Sequence, residues 1–175
     1  MINSLIENNN GQIIGEIIGI HQFIVYDGEI EKNDNGLILN PIIFIQPPVK
    51  NMIVNSGKNL ALDRLFSLSG PPAAIGSVGV GTDSTAAAVG QTQLNPSVAG
   101  SVLIQTADGG TSRTGQVVTI QSTFGTGVAN FNWNEAGLFN GNVNGTSIMF
   151  NRVIIGPFTK TSAVSIIYIT TITQS

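Results

Sequence analysis

Cysteine is absent and histidine occurs once. The first absence excludes disulfides, thiolate metal sites and cysteine nucleophiles, and it removes the usual sign of redox compartment. The second leaves too few ligands for a zinc site of the common His/Cys kind. Any Ser/His/Asp relay would have to be built on His21, which lies in an Ile-rich run far from any serine elbow. A strand histidine with one satisfied nitrogen is the plainer reading. Charge is also scarce. Charged residues make up 10% of the chain, against roughly 25% in ordinary soluble domains. No basic cluster could hold a phosphate backbone, so no nucleic-acid partner is expected. The longest apolar runs, such as Pro41-Ile-Ile-Phe-Ile45, are too short to span a bilayer, and no membrane insertion is expected. The N-terminus lacks a basic segment followed by an apolar one, so no signal peptide is expected.

What remains is a chain of 175 residues, enough for one domain with or without a short appendage. Asn, Thr, Ser, Gln and Gly supply most of the polar surface. Such a surface costs little to desolvate and suits a subunit packed permanently against others. Residues 1–40 hold six acids and one base, and residues 41–175 hold four acids and six bases. The acidic first part could dock on a basic neighbour, or its carboxylates could simply solvate strands and turns.

The pattern along the chain is that of strands separated by Gly/Asn turns. Ile13 to Ile20 reads as one or two strands kinked at Gly15 and Gly19. His21 to Ile30 reads as the next. Lys32-Asn-Asp-Asn-Gly36 is a hairpin turn, because Asn and Gly tolerate positive φ. Leu37 to Gln46 continues as a strand interrupted by Pro41, which places it at an edge or splits it. Pro47-Pro48 marks a boundary, giving residues 1–46 as a β appendage or attachment arm, or as the first sheet strands, and 51–175 as a β-sandwich domain. Asn55 to Phe66 is the one helix signal, expected over about 57–67. Asn55 or Ser56 would cap it, and Ala61, Leu62, Leu65 and Phe66 would form its buried stripe. Ile75 to Val80, Val102 to Gln105, Val117 to Phe124, Ser147 to Ile155 and Ala163 to Thr173 read as strands. Residues 81–94 read as a surface loop. In Val128 to Trp133, Ala129, Phe131 and Trp133 alternate with asparagines, as in a half-buried antiparallel strand. The fold class expected is mainly β: an antiparallel sandwich or jelly-roll-like barrel with one short α-helix.

Catalytic chemistry finds little material here. Asp27, Glu29 and Glu31 would share a face in a regular strand and could offer oxygens to Ca²⁺. Their spacing fits no EF-hand, and a solvated strand face accounts for them. Asp83, Asp108 and Glu135 could meet only through the fold to make a glycosidase pair. Gly76-Ser-Val-Gly-Val-Gly81 lacks the Lys-Ser/Thr of a phosphate loop. Asn144-Gly-Thr146 matches a glycosylation sequon that matters only on a secretory route. No catalytic, metal or cofactor residues are assigned, and an enzyme is not expected.

One ordered set of motifs stands out. Asn55, Gly57, Leu62, Leu65 and Phe66 mark the helix. Gly79 and Gly81 begin a Gly-x-Gly-Thr segment. Glu135, Gly137, Leu138 and Phe139 form Glu-x-Gly-Leu-Phe. Gly145-Thr146 and Lys160 follow. In this order, over roughly residues 50–175, the chain resembles a family of tailed-bacteriophage virion structural proteins, described as tail, fibre or minor structural proteins. Members often carry an acid and an arginine after the position of Leu94. Here the chain reads Asn95-Pro-Ser-Val98, so no salt bridge is carried over there. The resemblance implies a homo-oligomer, most plausibly a trimer, among other virion proteins of the tail, baseplate, collar or fibre apparatus. The chain would be made in the host cytoplasm and would end in the virion. The alternatives are a capsid decoration protein and a host adhesin binding a surface glycan, for which Trp133 and Tyr26 are the plausible aromatic platforms. Glu135, beside a glycine, is expected to be tied to backbone N–H groups or to an arginine such as Arg64 or Arg152, in a stabilising role.

Overall fold

A computed structural model of the chain describes residues 4–7, 13–65, 73–95, 102–109 and 111–174. Its backbone is organised around one long strand. Ile13–Asp27 runs unbroken as β2, where two kinked strands were expected. Gly19 does not interrupt it. A Cβ there would overlap the Asn51 side chain, so the glycine admits a close approach.

One flank of β2 is covered by β12 (Val164–Gln174), antiparallel from Asp27↔Val164 to Ile17↔Gln174. Beyond β12 lie β9 (Val117–Phe124) and β8 (Thr111–Thr114). Three short strands pair in turn with β2 as well: β1 (Ser4–Glu7), β4 (Val49–Lys50) and β3 (Ile42–Ile45). They occupy its opposite flank. Together these strands make the first sheet. The second has the order β5 (Met52–Ile53), β11 (Met149–Thr159), β10 (Asn132–Phe139), β6 (Ser77–Gly81) and β7 (Val102–Thr106). The chain changes sheets between β4 and β5, at Asn51. The two antiparallel sheets and the single helix, α1 (Asn55–Leu65), fit a β-sandwich.

The interior is an aromatic cluster centred on Trp133. Its ring lies 4.9 Å from Phe124 and 5.8 Å from Phe23, both edge to face. Phe23 in turn stacks on Tyr168 at 6.1 Å. Edge-to-face and offset pairs of this kind are favoured over flat sandwiches. The indole N–H donates to the Ala129 carbonyl at 2.9 Å, so the tryptophan is buried with its one donor satisfied.

A smaller cluster, Val54, Leu94, Phe139 and Met149, stands apart from this interior. Here α1 and the 82–95 loop lie on the second sheet. Every residue of β6, and every residue from Glu135 to Phe139 in β10, is buried. Strands buried on both faces carry no period-two pattern, which is why the sequence here shows glycines and small residues instead of alternation.

Three expectations need correction. Among the described part of residues 1–46, β2 is a central strand whose Phe23 and Val25 belong to the core, which favours the reading as first sheet strands over an appendage. Residues 128–131 are not strand: Ala129 has a φ of 54°, and the strand begins at Asn132. The helix spans Asn55–Leu65, and its buried residues are Gly57 and Leu60. Ala61, Leu62 and Leu65 are exposed instead, while Phe66 lies outside the described residues. Nor do Asn55 and Ser56 act as predicted caps. The Val54 carbonyl already accepts the first helical bond, from Lys58 at 3.1 Å, and the Ser56 hydroxyl donates to the Met149 carbonyl at 2.7 Å. Gly57 shows why the helix docks by this side. A Cβ on it would lie 2.6 Å from the Phe150 carbonyl carbon. Only a bare α-carbon lets the helix rest on the backbone of β11.

Candidate functional site

Gly79, Gly81, Glu135, Gly137 and Phe139 converge on the outer face of the second sheet, whereas Leu138 faces the aromatic interior and Leu62 and Leu65 are exposed on the helix. Antiparallel register sets Gly81 opposite Glu135 and Gly79 opposite Gly137. On the other side of β10, Gly137 stands opposite Arg152. Paired residues project to the same face, so the glycines clear a floor around two long charged side chains. A Cβ on Gly81 would sit 2.5 Å from Glu135 Oε1. A Cβ on Gly79 would meet the Phe139 ring at 2.7 Å and Leu94 at 3.0 Å. Leu94, fully buried, plugs this floor.

Arg152 is the hub. Its side chain is fully buried and its Nε donates to Glu135 Oε2 at 2.6 Å. Nη2 donates to Asp83 Oδ2 at 3.0 Å, and Nη1 donates to the Thr85 carbonyl at 2.9 Å and to Gln91 Oε1 at 3.1 Å. Four donated bonds nearly exhaust the five N–H groups of a guanidinium. Glu135 Oε1 accepts the Asn95 backbone N–H at 3.0 Å. Thus the expected partners of Glu135 are an arginine and a backbone amide, and the arginine is Arg152.

The electrostatics follow from burial and these bonds. Burial pushes the Glu135 carboxyl above its usual range, opposed by Arg152 and the Asn95 amide. Asp83 is held below its usual range chiefly by the Thr85 hydroxyl, which donates to it at 2.5 Å. Asn95 Nδ2 lies 3.4 Å from the same carboxylate. At the place where the resembled family often carries an acid–arginine pair, this chain therefore has an asparagine tied to both acids. The loop is pinned again at its end. Asn144 Nδ2 donates to the Leu94 carbonyl at 2.9 Å, and its Oδ1 accepts the Leu94 N–H at 3.1 Å. The sequon asparagine is thereby committed to the fold.

Other candidates are dispersed. Asp83 and Glu135 meet at one guanidinium in the interior, while Asp108 accepts from the Thr123 hydroxyl. Asp27, Glu29 and Glu31 do not share a strand face: β2 ends at Asp27, Gly28 turns the chain with a φ of 68°, and Glu29 accepts the Thr126 N–H at 3.0 Å. The Thr126 hydroxyl, which also donates to this carboxylate, and then the Thr126 N–H hold Glu29 below its usual range. Among the described residues no three His, Asp or Glu side chains group closely enough to hold a metal ion. His21 is buried, with the Tyr168 and Thr170 hydroxyls each 3.1 Å from Nδ1 and the Asn51 amide 3.3 Å from Nε2. Both nitrogens thus have neighbours, one more than expected, and burial lowers its pKa to about 3. Lys160 Nζ donates to the Gly125 carbonyl at 2.8 Å, Asn130 Oδ1 at 2.9 Å and the Val164 carbonyl at 3.1 Å. Burial lowers its pKa to about 8, and its donors hold the turn around residues 125–131 in place. The sequence offered no period or motif for Thr85 and Gln91, and marked Asn144 only as a sequon; all three act through polar bonds from irregular loops.

The site is a buried polar knot that locks a loop to a sheet, in an antiparallel β-sandwich. Family models, curated proteins and solved structures were compared with this chain, and none matches it.

Proposed function

We propose that this chain is a bacteriophage virion structural protein, a homo-oligomeric part of the tail, baseplate, collar or fibre apparatus that works by assembly with its own copies and with other virion proteins. The observation that carries this reading is the convergence of the resembling motifs. Gly57, Gly79, Gly81, Glu135 and Gly137, up to eighty positions apart, support one helix-and-loop layer on one sheet. These five members of the ordered set thus share one architectural role, while Leu62 and Leu65 are exposed and Leu138 faces the interior. The polar groups gathered there are buried and bonded to one another, which favours a role in holding shape over chemistry.

The glycan-binding alternative loses support. Trp133 is fully buried and Tyr26 nearly so, so neither offers a face for stacking a sugar. Capsid decoration uses the same kind of fold and differs in copy number. Quantitative mass spectrometry of purified particles tests the proposal: a low copy number per particle supports a tail part, a high one supports decoration, and absence from particles refutes both.

A further inference from the structure

The first sheet has an edge unlike its other surfaces. Strand β3 pairs with β2 along one side, and among the described residues no strand pairs with its other side. Ile42, Ile43, Phe44 and Ile45 are each about half exposed, so β3 presents apolar surface on both faces beside its open edge. Leu37 and Leu39, 65% and 60% exposed, extend the apolar surface along the preceding segment. Phe44 is partly anchored, its ring 6.0 Å from Phe23 and 5.8 Å from Phe158. Natural sheet edges are blunted by charge, proline, bulges or short length, and β3 is short, flanked by prolines and bulged at Ile43, which leaves charge as the protection it lacks. Here residues 35–49 carry no charged side chain.

We infer that the outer edge of β3 is a self-docking surface, on which a second copy of this chain pairs its own β3 antiparallel across a two-fold axis. Three features favour a second copy. An unpaired strand edge is completed by another strand, and an antiparallel pair of identical strands is self-complementary. An uncharged segment can meet itself without like-charge repulsion, whereas a dissimilar partner is commonly selected by complementary charge. The area reaches the needed range at its upper bound: Leu37, Leu39, Ile42, Ile43, Phe44 and Ile45 are 44–65% exposed, roughly 600 Å² per copy if all of it were covered. Two copies would then bury on the order of 1,200 Å², the lower end for a stable interface. Pro41 and Pro47 bracket the strand, confining the pairing to a short segment and discouraging open-ended strand addition. The inference rests on the homo-oligomeric part of the proposed function and replaces its expected three-fold contact with a two-fold one at this edge.

The test is sedimentation velocity on the full chain, with the variant Ile43→Lys alongside. Ile43 is 54% exposed, so the variant should melt close to the parent. The expected result is a parent species of twice the 18.3 kDa chain mass, with the variant's dimer dissociation constant raised roughly 30-fold or more, the scale of an interface hot spot. Because the chain has no cysteine, Ile43→Cys should form a covalent dimer on mild oxidation, while Val143→Cys, exposed elsewhere, should not. A parent that stays monomeric, or an oligomer unaffected by Ile43→Lys, would overturn the inference. A monomeric parent whose Ile43→Lys variant fails to enter particles would overturn it in favour of a different virion protein on this edge. A dimer lost in Ile43→Lys, from a chain absent from particles, would support the inference while refuting the virion role.

Discussion

Replacing Glu135 with alanine tests the buried knot. The substitution leaves Arg152 fully buried with Asp83 as its one remaining carboxylate partner and strands the Asn95 N–H that Glu135 accepts. Breaking a buried ion pair from one side costs about 3–5 kcal/mol, because the surviving charge is left in a poorly solvated place. In a chain of this size each kcal/mol lowers the melting temperature by about 2–4 °C, so Glu135→Ala should melt roughly 6–20 °C below the parent. Glu135→Gln keeps an acceptor for the amide and should lose less. The double variant Glu135→Ala/Arg152→Met removes the cause of the penalty, so its loss should fall well short of the sum of the singles, by about 2 kcal/mol or more within the range for contacting residues. Urea denaturation of the parent, Glu135→Ala, Glu135→Gln, Arg152→Met and the double variant at neutral pH measures this. An unchanged melting curve for Glu135→Ala, or strict additivity in the cycle, would refute the reasoning.

His21 should make the fold acid-sensitive. Its pKa is lowered from 6.5 to about 3 by burial, so below pH 6.5 the unfolded chain binds a proton that the folded one refuses. The contribution is fully present above pH 6.5 and is lost as pH falls toward 3, reaching about 2 kcal/mol by pH 5. Urea midpoints at pH 7.5 and 5 should show this, and His21→Gln should flatten the difference; an equal slope in both proteins would count against it. Gly57→Ala should destabilise by roughly 2 kcal/mol or more through overpacking on β11, whereas an open helical glycine would gain about 1 kcal/mol from alanine; a raised melting temperature would contradict the docking geometry. A chain beginning at residue 47 loses β2 and should give no cooperative melting transition, and a folded truncation would restore the appendage reading.

Much of the sandwich was legible because its outer strands obey local rules. The Asn33–Gly36 turn, with Gly36 at a φ of 77°, and the edge position of the strand after Pro41 follow from residue chemistry. So does the β-branched run of β12. The failures have physical causes too. The asparagine alternation around Phe131 imitates a strand, but Ala129 enters the left-handed region so that its carbonyl can receive the Trp133 indole. The helix stripe was placed on leucines because large apolar residues normally mark the buried side, yet close backbone contact at Gly57 decides the orientation. A proline pair suggested a domain boundary, but strand pairing across more than a hundred positions joins β2 to β12, and no local pattern announces a partner so distant. Glu135 was legible as a carboxylate in need of a partner, but Arg64 and Arg152 stayed equally open until the strand register chose Arg152. Asp83 was not legible, since its role depends on where an aperiodic loop lands.

Immunogold electron microscopy of purified particles tests the central claim most directly. Antibody against this chain should label the tail, neck or baseplate of intact particles at discrete positions. Particles that stay unlabelled, from a lysate in which the same antibody detects the protein, would contradict its place as a virion component.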